Sequence, residues 1–133
     1  MPKKLVDKKS DSLFAKAENR QVDSALDKKY TAWLREAEEN VRQAVKRELG
    51  EDYSSEEKGI AWVCFPETRA SFVRWMEGTN RGMKKPPRNW AWILIVEEYQ
   101  GSLRHRELHA TLLSDMLEKE GVKAFPESKI KRV

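Results

Sequence analysis

The sequence has a single cysteine, Cys64, and no long apolar segment among its 133 residues. One cysteine cannot form an intramolecular disulfide, which excludes the small disulfide-stabilised folds of secreted proteins. A membrane helix needs about 20 consecutive apolar residues, and the charged N-terminus lacks the apolar core of a signal peptide. We therefore expect a cytoplasmic protein that has no membrane partner.

The motifs of common catalytic and cofactor sites are also missing. The chain contains no Gly-x-Ser-x-Gly elbow, no glycine-rich dinucleotide loop, no phosphate-binding P-loop and no spaced set of zinc ligands. Cys64 lies in an apolar run without a neighbouring cation, which favours a buried, inert thiol over a nucleophile. The sequence thus predicts a non-catalytic protein without a cofactor.

Charge and aromatic content indicate a folded domain with a mildly basic surface. Lys and Arg number 26 against 22 Asp and Glu, which gives a net charge of +4. Five Trp, four Phe and three Tyr residues supply enough apolar surface for a core. A length of 133 residues fits one domain. We place this domain at residues 11–124, between a flexible tail at 1–10 and a basic C-terminal tail at 125–133.

A helical periodicity of apolar residues marks two long segments. Steps of three and four predict helices over 23–49 and 103–120. Each segment is followed by a glycine, Gly50 or Gly121, which suits a left-handed C-terminal cap. A shorter helix, with a weaker pattern, is predicted over 12–20.

Capping and breaking residues predict two further helices. Ser54-Ser55-Glu56-Glu57 matches a capping box, so we expect a helix from there to Phe65, where a proline follows. Apolar residues predict another helix over 70–78. Residues 79–89 hold a glycine and a pair of prolines, which predicts a loop.

The segment from Trp90 to Val96 is ambiguous, because a short continuous apolar run fits a buried strand as well as a buried helix. Asn89 as an N-cap and the Gly101-Ser102 boundary favour the helix. The fold predicted is then mainly α, a compact bundle of about five helices with mobile basic tails. The alternative is α+β, with two short strands at 60–65 and 90–96 joined by a crossover helix.

The most informative local feature is a basic loop between Glu77 and Glu97, a stretch without an acidic residue. Its cations are Arg81, Lys84, Lys85 and Arg88. Trp90 adjoins them and offers a ring on which a base could stack, while Arg104 and Arg106 extend the charge onto the last helix. We hypothesise that these seven residues form one nucleic-acid-binding surface. The competing interpretation is an ordinary solvated loop with Trp90 and its neighbour Trp92 both packed inward.

His105 and His109 stand four residues apart on a predicted helix, a spacing that lets two imidazoles bind one zinc ion. Two ligands do not make a site, and the order His-x-Glu-x-His departs from the metalloprotease pattern. Neighbouring arginines would also repel a cation. The pair is therefore only a weak candidate for metal binding, and a polar stripe or a phosphate contact is favoured.

These features predict a non-catalytic, nucleic-acid-associated helical protein. It would bind the phosphate backbone of RNA or DNA through the basic loop, or act as a small subunit of a nucleoprotein complex. The alternative is an adaptor or inhibitor that binds a protein partner through exposed Trp and Arg side chains. The long amphipathic helix also allows a homo-oligomer.

Overall fold

Three helices and a four-stranded antiparallel sheet make up the part of the chain that the structure, a computed structural model, describes: residues 24–54, 56–87 and 90–131. The elements in chain order are α1 (Ser24–Leu49), β1 (Gly59–Phe65), α2 (Ser71–Gly78), β2 (Met83–Lys84), β3 (Trp92–Val96), α3 (Leu103–Lys119) and β4 (Phe125–Ile130). The fold is therefore α+β, and the prediction of a five-helix bundle is wrong. The predicted tail at 1–10 and helix at 12–20 lie outside the described residues.

The two long helices predicted from periodicity are confirmed. The buried face of α1 carries Tyr30, Leu34, Ala37, Val41 and Val45, at steps of three and four. At the end of α1 the next residue is a glycine with a φ of 77°, whose amide donates to a carbonyl of the last turn. The predicted stop signal therefore works as a left-handed cap.

The N-terminus of α3 also follows the predicted capping. The Ser102 hydroxyl accepts a hydrogen bond from the His105 amide, and Gly121 follows the helix with a φ of 88°. The short helix α2 was expected over 70–78 and spans Ser71–Gly78. The predicted bounds of all three helices agree with the observed bounds to within about two residues, because the residues that start and end each helix act locally.

The segment predicted as a capping-box helix is strand β1. The amide and the hydroxyl of Ser54 both donate to the Asp52 carboxylate, at 3.1 and 2.7 Å, so this serine closes a turn and caps no helix. β1 lies at the centre of the sheet, between β3 and β4. β1 carries apolar residues on both faces and so reads as a continuous apolar run, which is why periodicity could not identify it.

The segment predicted as a helix from Trp90 to Val96 is strand β3, which begins at Trp92. β1 and β3 pair directly, with Val63 opposite Leu94. The alternative prediction of two strands in these segments is therefore the closer one. Its crossover connection is wrong, because the two strands are antiparallel whereas a crossover joins parallel strands.

Two strands were not predicted at all. β2 has only two residues and forms one edge of the sheet, within the predicted loop. β4 forms the opposite edge and pairs with β1, with Glu127 opposite Trp62. The segment predicted as the start of a mobile basic tail is therefore part of the sheet. The order of the strands is β2-β3-β1-β4.

The two faces of the sheet differ in what covers them. Ala61, Val63 and Phe65 of β1 point toward the helices and join the main core. The alternate residues, Trp62 and Cys64, point to the other face, against which no described helix packs. The core itself is built around aromatic contacts such as Tyr30 with Phe72, whose ring centroids lie 5.2 Å apart edge to face.

None of the described helices combines the length and the apolar character that a membrane crossing requires.

Candidate nucleic-acid interface

The edge strand β2 and the loops beside it carry most of the residues predicted to bind nucleic acid. Gly82 precedes β2 with a φ of 84°, and a Cβ there would collide with the Ile93 carbonyl oxygen and the Trp92 indole nitrogen. Only glycine allows this close approach of the loop to β3. Beyond β2 the Lys85 amide donates to the Ala91 carbonyl at 2.9 Å. The loop is thus anchored to the sheet at both ends of β2.

A pocket of about 490 Å³ lies between α2 and the start of β3. Three cationic side chains line it, Arg69 before α2, Arg74 on α2 and Lys84 on β2, together with one acid, Glu77. Ala91 and Trp92, both buried, form its apolar wall where β3 begins. The pocket brings together cations that are up to 15 positions apart in the sequence.

The three cations of this pocket form no ion pair with any residue that the structure describes. The ion pairs of the described chain are Arg42 with Glu39 and Glu98, Lys46 with Glu51, and Lys85 with Glu127. Three positive charges and one negative charge leave the pocket with a formal charge of about +2. A concave, unpaired cationic surface of this kind attracts anions.

Trp90 is next in sequence to Ala91, which lines this pocket, but is not itself one of the lining residues. Its side chain is 49% exposed, the largest exposed fraction among the tryptophans. The Lys85 ammonium lies 4.8 Å from the centre of its ring, a cation–π contact that holds one side of the indole. Lys85 is held in turn by Glu127 at 2.8 Å.

Glu127 of β4 contacts β1 and the residue that follows β2, on the helix-free face of the sheet. It accepts from the Trp62 indole at 2.7 Å as well as from Lys85. Because the carboxylate neutralises Lys85, this lysine serves to position Trp90 and offers no unpaired charge to a phosphate.

Arg81 lies against the core side of the loop. Its guanidinium stands 4.5 Å from the centre of the Trp75 ring, and its carbonyl accepts from the Trp92 indole at 2.8 Å. It is half-buried and does not line the pocket. Its position stabilises the loop that carries Lys84.

The structure does not bring the two arginines of α3 to the pocket. Arg106 donates to the carbonyls of Glu98, Gly59 and Glu97 at 2.8, 3.0 and 3.0 Å, so it ties the start of β1 to the turn after β3. Arg104 is exposed in the first turn of α3 and lines no described pocket. Arg88, also predicted as a phosphate ligand, lies outside the described residues.

Sequence reasoning missed Arg69 and Arg74. The predicted patch was defined as a stretch of the sequence that contains cations and no acidic residue, so it could not extend past Glu77. Both arginines precede Glu77 in the sequence. The two arginines could have been identified from their positions near the start of a predicted helix that is followed directly by the basic loop.

The helix-free face of the sheet also exposes apolar side chains. Ile60, Ile95, Met83 and Phe125 are each 37 to 43% exposed. Beneath them Cys64 packs with Ala91 and Ile93 in a small second cluster. Burial raises the pKa of the Cys64 thiol, in agreement with the prediction of an inert cysteine.

The two histidines predicted as weak metal candidates are buried and belong to separate hydrogen-bond networks. His105 Nε2 donates to the Gly50 carbonyl at 3.0 Å, which leaves Nδ1 to accept from the Ser102 hydroxyl at 2.6 Å. His109 Nδ1 pairs with the Tyr99 hydroxyl at 2.7 Å. In the described part of the chain no group of three or more His, Cys, Asp or Glu side chains is arranged to bind a metal ion.

The Tyr99–His109 pair is the most perturbed titratable group of the structure. Burial lowers the pKa of His109 to about 4 and raises that of Tyr99. Tyr99 and Gln100 have φ values of 69° and 50°. The turn that contains the tyrosine therefore adopts the left-handed conformation, which is unfavourable for residues other than glycine. The pair lies at a cavity of only about 110 Å³ between α1, β3 and α3.

Comparison with protein-family models, with curated proteins and with solved structures gives no match for this chain.

Proposed function

We propose that this protein binds single-stranded nucleic acid at the β2 edge of its sheet. One observation carries the proposal: the β2 edge combines an exposed tryptophan, Trp90, which contacts Lys85, with a pocket whose three cations form no ion pair with any described residue. These cations are Arg69, Arg74 and Lys84. Stacking platforms flanked by cations are the common means by which proteins bind single strands.

Two physical contributions would combine at this site. Contact between the cations and backbone phosphates releases condensed counterions, which favours binding most strongly at low salt. A base stacked on the open face of Trp90 adds about 1–3 kcal/mol without demanding a particular sequence. The apolar side chains of the helix-free face, Ile95 and Phe125 among them, extend the surface available to further bases.

The geometry favours a single strand over a duplex. In a duplex the bases are stacked on each other, and their faces cannot reach Trp90. Readers of duplex DNA usually place a helix or a ribbon of two strands in a groove. Here the exposed cations surround a pocket and a two-residue edge strand, Met83–Lys84.

Replacing Trp90 by alanine is expected to weaken binding of a labelled oligonucleotide of about 10 nucleotides by about tenfold or more, because stacking is worth about 1–3 kcal/mol per base. Trp90→Phe keeps an aromatic ring and should retain most of the affinity. Fluorescence anisotropy measures both variants against the wild-type protein. Equal affinity of the wild-type protein and Trp90→Ala would contradict a stacking role.

A protein partner is the second candidate function, and the exposed apolar set Ile60, Met83, Ile95 and Phe125 favours it. Trp75 and Trp92 are only 2% and 8% exposed, so burial excludes both as anchors for a protein partner. The two functions differ in their salt dependence, because an apolar interface changes little with ionic strength.

A further inference from the structure

We infer that the pocket between α2 and β3 binds a phosphomonoester, the phosphate at the end of a nucleic-acid strand, so that the protein prefers phosphorylated ends. The inference rests on the proposed function and adds to it the chemical group that the pocket selects. Its basis is the charge, the shape and the donors of the pocket.

The charge of the pocket matches a phosphomonoester better than an internal phosphodiester. Arg69, Arg74 and Lys84 against Glu77 give a formal charge of about +2. A phosphomonoester carries about −1.5 to −2 charges at neutral pH, whereas each phosphodiester of the backbone carries one. The end of a strand therefore neutralises the pocket, and a backbone phosphate leaves part of its charge unpaired.

The pocket is also large enough for the end of a strand. The α2 residues form one side of it, Lys84 the other, and the buried side chains Ala91 and Trp92 form its wall. Its volume of about 490 Å³ is in the range of small-molecule sites, which leaves room for the terminal nucleotide as well as its phosphate.

The side chains that line the pocket provide suitable donors and one acceptor. Two guanidinium groups, those of Arg69 and Arg74, can each bind phosphate oxygens in a bidentate manner, and Thr68 adds a hydroxyl. Glu77 repels a phosphate at close range but can accept a hydrogen bond from a sugar hydroxyl or a base N–H of the same nucleotide. Trp90 is exposed and next in sequence to Ala91 of the wall, so it is available to stack on another base of the strand.

The test compares one oligonucleotide sequence in three forms, with a 5′-phosphate, with a 3′-phosphate and with hydroxyls at both ends. The expected result for the wild-type protein is about tenfold tighter binding of a phosphorylated form, the gain from one further charge-assisted contact. The preference should disappear in Arg74→Leu and be partly restored in Arg74→Lys, because lysine keeps the charge but not the bidentate geometry. A nucleoside monophosphate added as competitor shows whether the pocket binds the group without the strand.

The outcomes separate this inference from the proposed function. If all three oligonucleotides bind with equal affinity, and Arg74→Leu weakens each of them equally, selection of phosphorylated ends is wrong and single-strand binding stands. If none of the three binds at low salt, both proposals are wrong. Arg104→Leu serves as the matched control, since that exposed arginine lines no described pocket, and it should keep the full preference.

Discussion

Reversing Arg74 and Lys84 together to glutamate is expected to weaken single-strand binding by about 100-fold at about 100 mM salt. The change removes two of the three cations of the pocket and replaces them with two carboxylates, which repel the phosphates. Because both side chains lie outside the core, the variant should keep the fold of the wild-type protein. Anisotropy titration measures the affinity, and circular dichroism checks the fold.

A matched double reversal separates this local effect from the loss of net charge. Arg47→Glu with Arg104→Glu changes the charge by the same amount at two exposed positions, on α1 and α3, that line no described pocket. We expect only a small loss of affinity, within about threefold, from the weaker long-range field. Equal losses in the two double variants would show that binding depends on net charge and not on the pocket.

Acidification from pH 6.5 to about 4 is expected to cost about 3 kcal/mol of folding free energy through His109 alone. The side chain is 1% exposed, and burial lowers its pKa from 6.5 to about 4. Below pH 6.5 the His109 side chain of the unfolded chain therefore binds a proton, whereas in the folded protein it binds that proton only near pH 4. The stabilising contribution is fully present above pH 6.5 and is lost as the pH falls through this window.

One neighbouring group opposes this trend. Burial, with a further contribution from Glu98, raises the pKa of Glu38, which lines the same small cavity as His109. A carboxyl with a raised pKa binds its proton more readily in the folded state, so it recovers part of the stability as the pH falls. The folding free energy should still decrease as the pH falls, because the pKa of His109 is shifted further than that of Glu38.

Urea denaturation followed by tryptophan fluorescence at several pH values tests the role of His109. The variant His109→Asn, which cannot take up the proton, should be less stable than the wild-type protein near neutral pH and should lose most of the acid slope. His105→Asn, which removes the other buried histidine, should keep that slope. An unchanged slope in His109→Asn would show that another group controls acid stability.

The helices of this fold could be predicted from the sequence, because the signals that define them are local. The apolar face of α1, from Tyr30 to Val45, and the stop at Gly50 are visible within one segment. The same is true of α3, where Ser102 caps the N-terminus. No other part of the chain is needed to identify either helix.

The strands could not be predicted in this way, because each depends on a distant partner. Ile60–Phe65 and Trp92–Val96 are apolar on both faces, so neither shows the alternation of a half-buried strand. β4 is exposed at five of its six residues and holds both a proline and charged residues, a composition typical of an edge strand and also of a tail. Its pairing with β1 joins residues more than 60 positions apart.

The candidate site was only partly predictable for the same reason. Lys84 and Trp90 were both named from the sequence, and the structure places Lys84 on β2 and the Trp90 ring against Lys85, the residue after β2. Arg106 was assigned to phosphate binding, but its three hydrogen bonds to main-chain carbonyls could only be seen in three dimensions. Arg69 and Arg74 share a pocket with Lys84 because the fold places residues of α2 and β2 around it. Counting charges along the chain cannot detect this relation.

The most direct test of the central claim is the affinity of the wild-type protein for a labelled single-stranded oligonucleotide over about 50 to 300 mM salt. Three to four phosphate contacts predict a slope of log affinity against log salt of about −2 to −3 for a single strand. Measurable binding at low salt with such a slope is the result that we expect, with weaker binding to duplex DNA of the same length. Absence of binding at about 50 mM salt, or an affinity independent of salt, would contradict it.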